Sequence, residues 1–162
     1  KITVQKSNTE GFGTGGLLTS IPFGAMVRDG LFVQRGTDAY WVTLYPNSSG
    51  RPYTVKATMA PLSNGTVTLP QSLGMTVAYV NTANDTADIQ GDSFPSGAQN
   101  AVMNDQTIYT SNSSGTSARI HVIYGFEPGV PRGVPFAGWQ PILADQPGGN
   151  YTSTVTYSMA LA

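Results

Sequence analysis

The chain has 162 residues, of which only 17 are charged (8 basic and 9 acidic), for a formal net charge of −1. Average soluble domains are about 25% charged, so the polar surface here is mostly hydroxyl and amide, from 14 Ser, 19 Thr and 9 Asn. This balance excludes a basic face for a phosphate backbone and disorder driven by charge repulsion, and no apolar run approaches the ~20 residues of a membrane-spanning helix.

Ile2-Thr3-Val4-Gln5 opens the chain as a short alternating strand. Lys6 to Gly16 is polar and Gly-rich, the composition of a flexible linker. Within it Gly11-Phe12-Gly13-Thr14-Gly15-Gly16 fits the spacing G-x-G-x-x-G, but Leu17-Leu18-Thr19-Ser20-Ile21-Pro22 follows, and Pro and β-branched residues oppose the helix a phosphate site requires. Strands are expected at Asp38–Tyr45 and Tyr53–Ala60, the second placing Tyr53, Val55, Ala57 and Met59 on one face, with Pro46 to Gly50 as the loop between them. Ser63-Asn64-Gly65 is a turn signal before short strands at Thr66–Leu69 and Met75–Val80.

Asn81 to Asn100 is polar and holds the densest carboxylates, Asp85, Asp88 and Asp92 beside Asn84. Calcium takes oxygens from such loops, but the spacing is not that of an EF-hand, and Asx-rich loops form turns without a metal. No metal or cofactor is expected. Ala98 to Asp105 has the makings of one helical turn, and Gln106–Thr110 is a short strand. After the polar connection Ser111 to Ser117, Arg119–Phe126 is a strand with Ile120, Val122 and Tyr124 on one face and Arg119, His121 and Ile123 on the other. Glu127 to Pro147 holds five prolines, an extended excursion with one short strand around Trp139–Leu143. Tyr151–Leu161 is the longest expected strand and alternates over eleven residues. Many short strands with turns at this spacing, and no helix of three turns, argue for one all-β sandwich.

Catalysis has few candidates. His121 is the single histidine, inside a strand, where a solvent-facing or hydrogen-bonded role is the ordinary one. Cysteine is absent, and neither G-x-S-x-G nor H-E-x-x-H occurs. No enzyme is expected. N-x-Ser/Thr sequons at Asn47, Asn64, Asn84, Asn112 and Asn150 are candidate glycosylation positions, although Asn, Ser and Thr also gather in turns on their own account.

The segment Pro147-Gly148-Gly149-Asn150-Tyr151 through Leu161 resembles the C-terminal strand of chaperone–usher pilins, in which a Gly-x-Tyr step opens a long alternating last strand. Ser20-Ile21-Pro22-Phe23-Gly24, and Ile123-Tyr124-Gly125 with the Pro-rich loop after it, resemble the archaic, spore-coat-protein-U-like branch of that family. The resemblance covers roughly a fifth of the chain, and the cysteine pair of many such pilins is absent. It implies an immunoglobulin-like β-sandwich one strand short, completed by donor-strand exchange with a neighbouring copy. Residues 1–16 would then be donor strand and linker and residues 17–162 the pilin domain. Ile2, Val4 and Phe12 would be the donor anchors, and Tyr151, Val155, Tyr157, Met159 and Leu161 would line the acceptor groove. The implied function is a structural subunit of an extracellular pilus or fimbria serving adhesion or biofilm formation. Its implied partners are copies of itself, a periplasmic chaperone and an outer-membrane usher, with neither nucleic acid nor membrane insertion. An archaeal surface filament built on donor strands is a variant of the same reading. Two alternatives stay open: a carbohydrate-binding tip adhesin, with Trp41, Trp139, Tyr45, Tyr53 and Phe136 as stacking platforms, and a viral coat protein.

Overall fold

The computed structural model describes residues 2–7, 17–24, 27–29, 32–34, 39–81, 99–126 and 136–162. Among the described residues there is no helix. Eleven strands are formed: β1 (Ile2–Ser7), β2 (Leu17–Leu18), β3 (Val27–Asp29), β4 (Phe32–Gln34), β5 (Ala39–Leu44), β6 (Tyr53–Met59), β7 (Gly74–Asn81), β8 (Gln99–Asn100), β9 (Met103–Thr110), β10 (Ala118–Gly125) and β11 (Val155–Leu161). They make a six-stranded sheet in the order β2-β1-β5-β10-β7-β8, a three-stranded sheet in the order β11-β6-β9, and a β3-β4 ribbon. Every ladder is antiparallel.

The two larger sheets bury one core between them. On β6 the residues Tyr53, Val55, Ala57 and Met59 are buried, as the period of two requires, while Thr54, Lys56 and Thr58 are more open. They join Val42 and Leu44 of β5 and Ile120, Val122 and Tyr124 of β10 in a single cluster. Each aliphatic side chain fully buried there contributes roughly 1.5–3 kcal/mol. At one end of the core the Phe23 ring meets Tyr40 and Phe126 edge-on, with centroids 5.4 and 4.7 Å apart.

β10 departs from simple alternation. It lies between β5 and β7, and its second face is buried as well, with His121 and Ile123 both shielded from solvent. Its run Ile120-His121-Val122-Ile123-Tyr124 suits a strand covered on both sides better than a half-exposed one.

Turn chemistry accounts for the connections. Asn47 Oδ1 accepts from the Ser49 amide at 3.0 Å, closing the β5–β6 loop. Asn64 Oδ1 accepts from the amides of Thr66 and Val67, each at 3.0 Å, and Gly65 takes a φ of +92°. The expected strand at Thr66–Leu69 shrinks to one bridge, Ser63 to Thr68, because this tight turn leaves room for little more. In the β9–β10 loop Gly115 has a φ of +57°, and a Cβ there would collide with the Arg51 carbonyl.

Three further expectations are corrected. Residues 99–100 and 103–110 are strands rather than a helical turn, since Asn100 Oδ1 caps the Val102 amide and β9 pairs with β6 through register shifts. Trp139–Leu143 forms no strand; Trp139 and Gln140 donate to the carbonyls of Phe136 and Gln71 in a folded loop. The last strand begins at Val155, preceded by a single bridge between Thr152 and Ser63.

Candidate interaction site at the edge of β11

β11 runs along β6 from Val155 opposite Met59 to Leu161 opposite Tyr53. The Ala162 amide extends the ladder by donating to the Pro52 carbonyl at 2.9 Å. Antiparallel strands turn the N–H and C=O of alternate residues toward a given neighbour. Ala162 faces β6, so Thr156, Ser158 and Ala160 do too. Val155, Tyr157, Met159 and Leu161 therefore direct their backbone groups to the opposite edge. Among the described residues no strand pairs with that edge.

The same four residues stand opposite the buried row of β6 and so lie on the core side of the sheet. Val155 and Tyr157 pack on the core and are half-buried, as is Tyr151 before them. Met159 and Leu161 remain 43% and 44% exposed. Among the described residues no strand lies beyond β11 to cover the open end of this apolar row. A bare edge of this kind offers backbone hydrogen bonds and side-chain contacts together.

Tyr157 is held in place from across the sandwich. Its hydroxyl shares a hydrogen bond of 2.6 Å with that of Tyr124 on β10. Burial pushes the Tyr124 phenol up to about 12, against the smaller opposing effect of the Tyr157 hydrogen bond. Burial, and then the neighbouring Tyr124, hold the Tyr157 phenol well above its ordinary value. Both remain neutral at physiological pH and serve as a fixed polar tie.

The N-terminal strand lies elsewhere. In the single chain β1 pairs with β5 over its whole length, placing Ile2 and Val4 opposite Leu44 and Val42. The sequence reading places these two residues against Val155, Tyr157 and Met159 of another copy; within one chain they are seated on the other sheet. Ile2 stays 54% exposed there. Phe12 lies outside the described residues.

The remaining candidates separate clearly. Tyr53 and Phe136 are core residues, Tyr45 is exposed, and Trp139 is half-buried with its indole N–H donating to the Ser72 carbonyl at 3.3 Å. The Trp41 side chain is outside the described set. Asn47 and Asn150 are exposed, whereas the amide nitrogens of Asn64 and Asn112 donate to the Gly148 carbonyl and Thr116 Oγ1. Asn84 and the acidic residues Asp85, Asp88 and Asp92 are outside the described residues. Among those described, no group of three His, Asp or Glu residues is placed to hold a metal ion, and no helix is long and apolar enough to cross a membrane.

His121 is buried, and its Nδ1 lies 3.1 Å from Thr43 Oγ1. Burial lowers its pKa to about 4, and the positive charge of Arg119 adds to the effect. Its place is that of a buried, hydrogen-bonded strand histidine.

The alternation of β11 marks which of its residues face the core. Sequence carries no signal for the bare edge itself, because that depends on which strands lie beside β11. Comparison with family models, with curated proteins and with solved structures finds no match to this chain.

Proposed function

We propose that this chain is a structural subunit of an extracellular filament of the pilin type, polymerising by insertion of a strand from one copy beside β11 of the next. The observation that carries the reading is the β11 edge, where outward backbone groups and the half-open row of Val155, Tyr157, Met159 and Leu161 coincide.

Strand order supports it. A constant-type immunoglobulin sandwich has strands A-B-E-D in one sheet and C, F and G in the other. In sheet order β1, β5, β10 and β7 match A-B-E-D, and β11 and β6 match F and C, while β9, on the other side of β6, has no counterpart in the constant-type order. The place of G is the edge of β11. A strand added there by another copy supplies main-chain bonds for affinity and alternating side chains for specificity.

The donor in this reading is the N-terminal strand, joined to the rest by the Gly-containing residues 8–16. A head-to-tail exchange of this kind does not close on itself and propagates as a fibre. Scarcity of charge is tolerable in a subunit made to associate. A periplasmic chaperone and an outer-membrane usher are the assembly partners this reading implies, and no catalytic step is part of it.

Negative-stain electron microscopy of the purified full chain tests the proposal. Fibres a few subunits to many subunits long are expected. Discrete monomers at every concentration would sink it.

A further inference from the structure

Resting on the filament reading, we propose that β1 has two seats: on β5 of its own chain in the free subunit, and on β11 of a second copy in the fibre, with residues 17–21 taking over the vacated edge of β5. Four observations carry this.

The first seat is complete. Six consecutive residues pair, from Ile2 opposite Leu44 to Ser7 opposite Ala39. The free subunit therefore does not carry a dangling donor.

What lies outside β1 is thin. Only Leu17 and Leu18 pair with it, opposite Gln5 and Val4. They are 68% and 36% exposed, a poor arrangement for two leucines. On that side, removing β1 releases only this two-residue ladder.

The segment that follows is fixed independently of β1. The Tyr40 hydroxyl donates to the Pro22 carbonyl at 2.5 Å, Phe23 is packed against Tyr40 and Phe126, and Ile21 rests on the core. This anchors the chain beside the start of β5. Leu17, Thr19, Ile21 and Phe23 alternate with Leu18, Ser20 and Pro22, a strand-compatible pattern. With β1 gone, residues 17–21 can extend from the anchor along β5 and bring their leucines onto a covered edge.

The exchange is balanced in backbone bonds and favourable in burial. Bonds lost at β5 are replaced at β11 of the neighbour and by residues 17–21 at home, while Met159, Leu161, Leu17 and Leu18 all lose exposure. Residues 8–16 provide the reach, since nine extended residues span up to ~30 Å. Exchange of an identical element between copies is a low-cost route to association.

Disulfide trapping tests the two seats. The chain has no cysteine, so an introduced pair meets no native thiol, and a disulfide between copies is recognised as a dimer band on non-reducing gels. Ser7→Cys with Ala39→Cys staples the last pair of the β1–β5 ladder, and Thr3→Cys with Thr43→Cys staples its other half. Under oxidising conditions each full-length variant is expected to stay monomeric by light scattering, and reduction is expected to restore fibres. Fibres of equal yield from oxidised and reduced protein would overturn the two-seat proposal while leaving a filament. Absence of fibres from the reduced variants and the unmodified chain alike would overturn the filament reading and this proposal with it.

Discussion

Tyr124 of β10 and Tyr157 of β11 meet hydroxyl to hydroxyl at 2.6 Å across the sandwich. The contact ties the last strand to the centre of the opposite sheet by its core face, while among the described residues no strand pairs with its outer backbone edge. In the proposed filament reading, firm attachment combined with an open edge suits β11 to receive a further strand.

Removing one hydroxyl separates these two properties. Tyr157→Phe leaves the buried Tyr124 hydroxyl without this partner and should cost about 1–3 kcal/mol. The denaturant midpoint should fall, while fibres still form under native conditions because the edge is intact. An unchanged midpoint would mean that the tie contributes nothing.

A charge on the open row should act the other way. Met159 is already 43% exposed, so Met159→Lys should change thermal stability little. In the fibre the same position is covered, and an unpaired buried charge costs several kcal/mol. Normal folding with loss of fibres is expected, read by circular dichroism and electron microscopy. Fibres at wild-type yield would place the subunit contact elsewhere.

Acid should weaken the fold through His121. Its folded pKa of about 4 lies below the ordinary 6.5, so between these values the unfolded chain binds more protons than the native one. Stability from this group is present above about pH 6.5 and is lost as pH falls toward 4, by roughly 3 kcal/mol in all. His121→Gln should flatten the dependence of melting temperature on pH across that window relative to wild type. Parallel pH profiles would contradict the assignment.

The β9–β10 loop has little tolerance at Gly115. A Cβ would collide with the backbone of Arg51, and the φ of +57° disfavours other residues. Gly115→Ala should destabilise by more than about 2 kcal/mol, shown as a lower melting temperature. Wild-type stability would show that the loop has another conformation available.

Local pattern made part of this legible in the sequence. The alternation of Tyr53, Val55, Ala57 and Met59 assigned the buried face of β6 because one side of that strand is core and the other is open. On β10 it assigned Ile120, Val122 and Tyr124 to one face but not the burial of the second, where His121 and Ile123 are also buried, because period alone cannot see what lies over a sheet. The β3–β4 ribbon carries a local signal in the sequence, the Gly30 that with Leu31 separates the paired Asp29 and Phe32. The β11 row was legible as an apolar face. Its bare edge and the seating of β1 on β5 were not, since strand order is set by contacts far apart in sequence.

The central claim is that β11 receives a strand from another copy. Image reconstruction of fibres formed by the full chain, to a resolution that separates strands, tests it most directly. The account predicts one further strand hydrogen-bonded to Val155, Tyr157, Met159 and Leu161, continuous with the N-terminus of the adjacent subunit. Fibres in which that edge is bare, or in which β1 remains on its own β5 while subunits meet elsewhere, would contradict it.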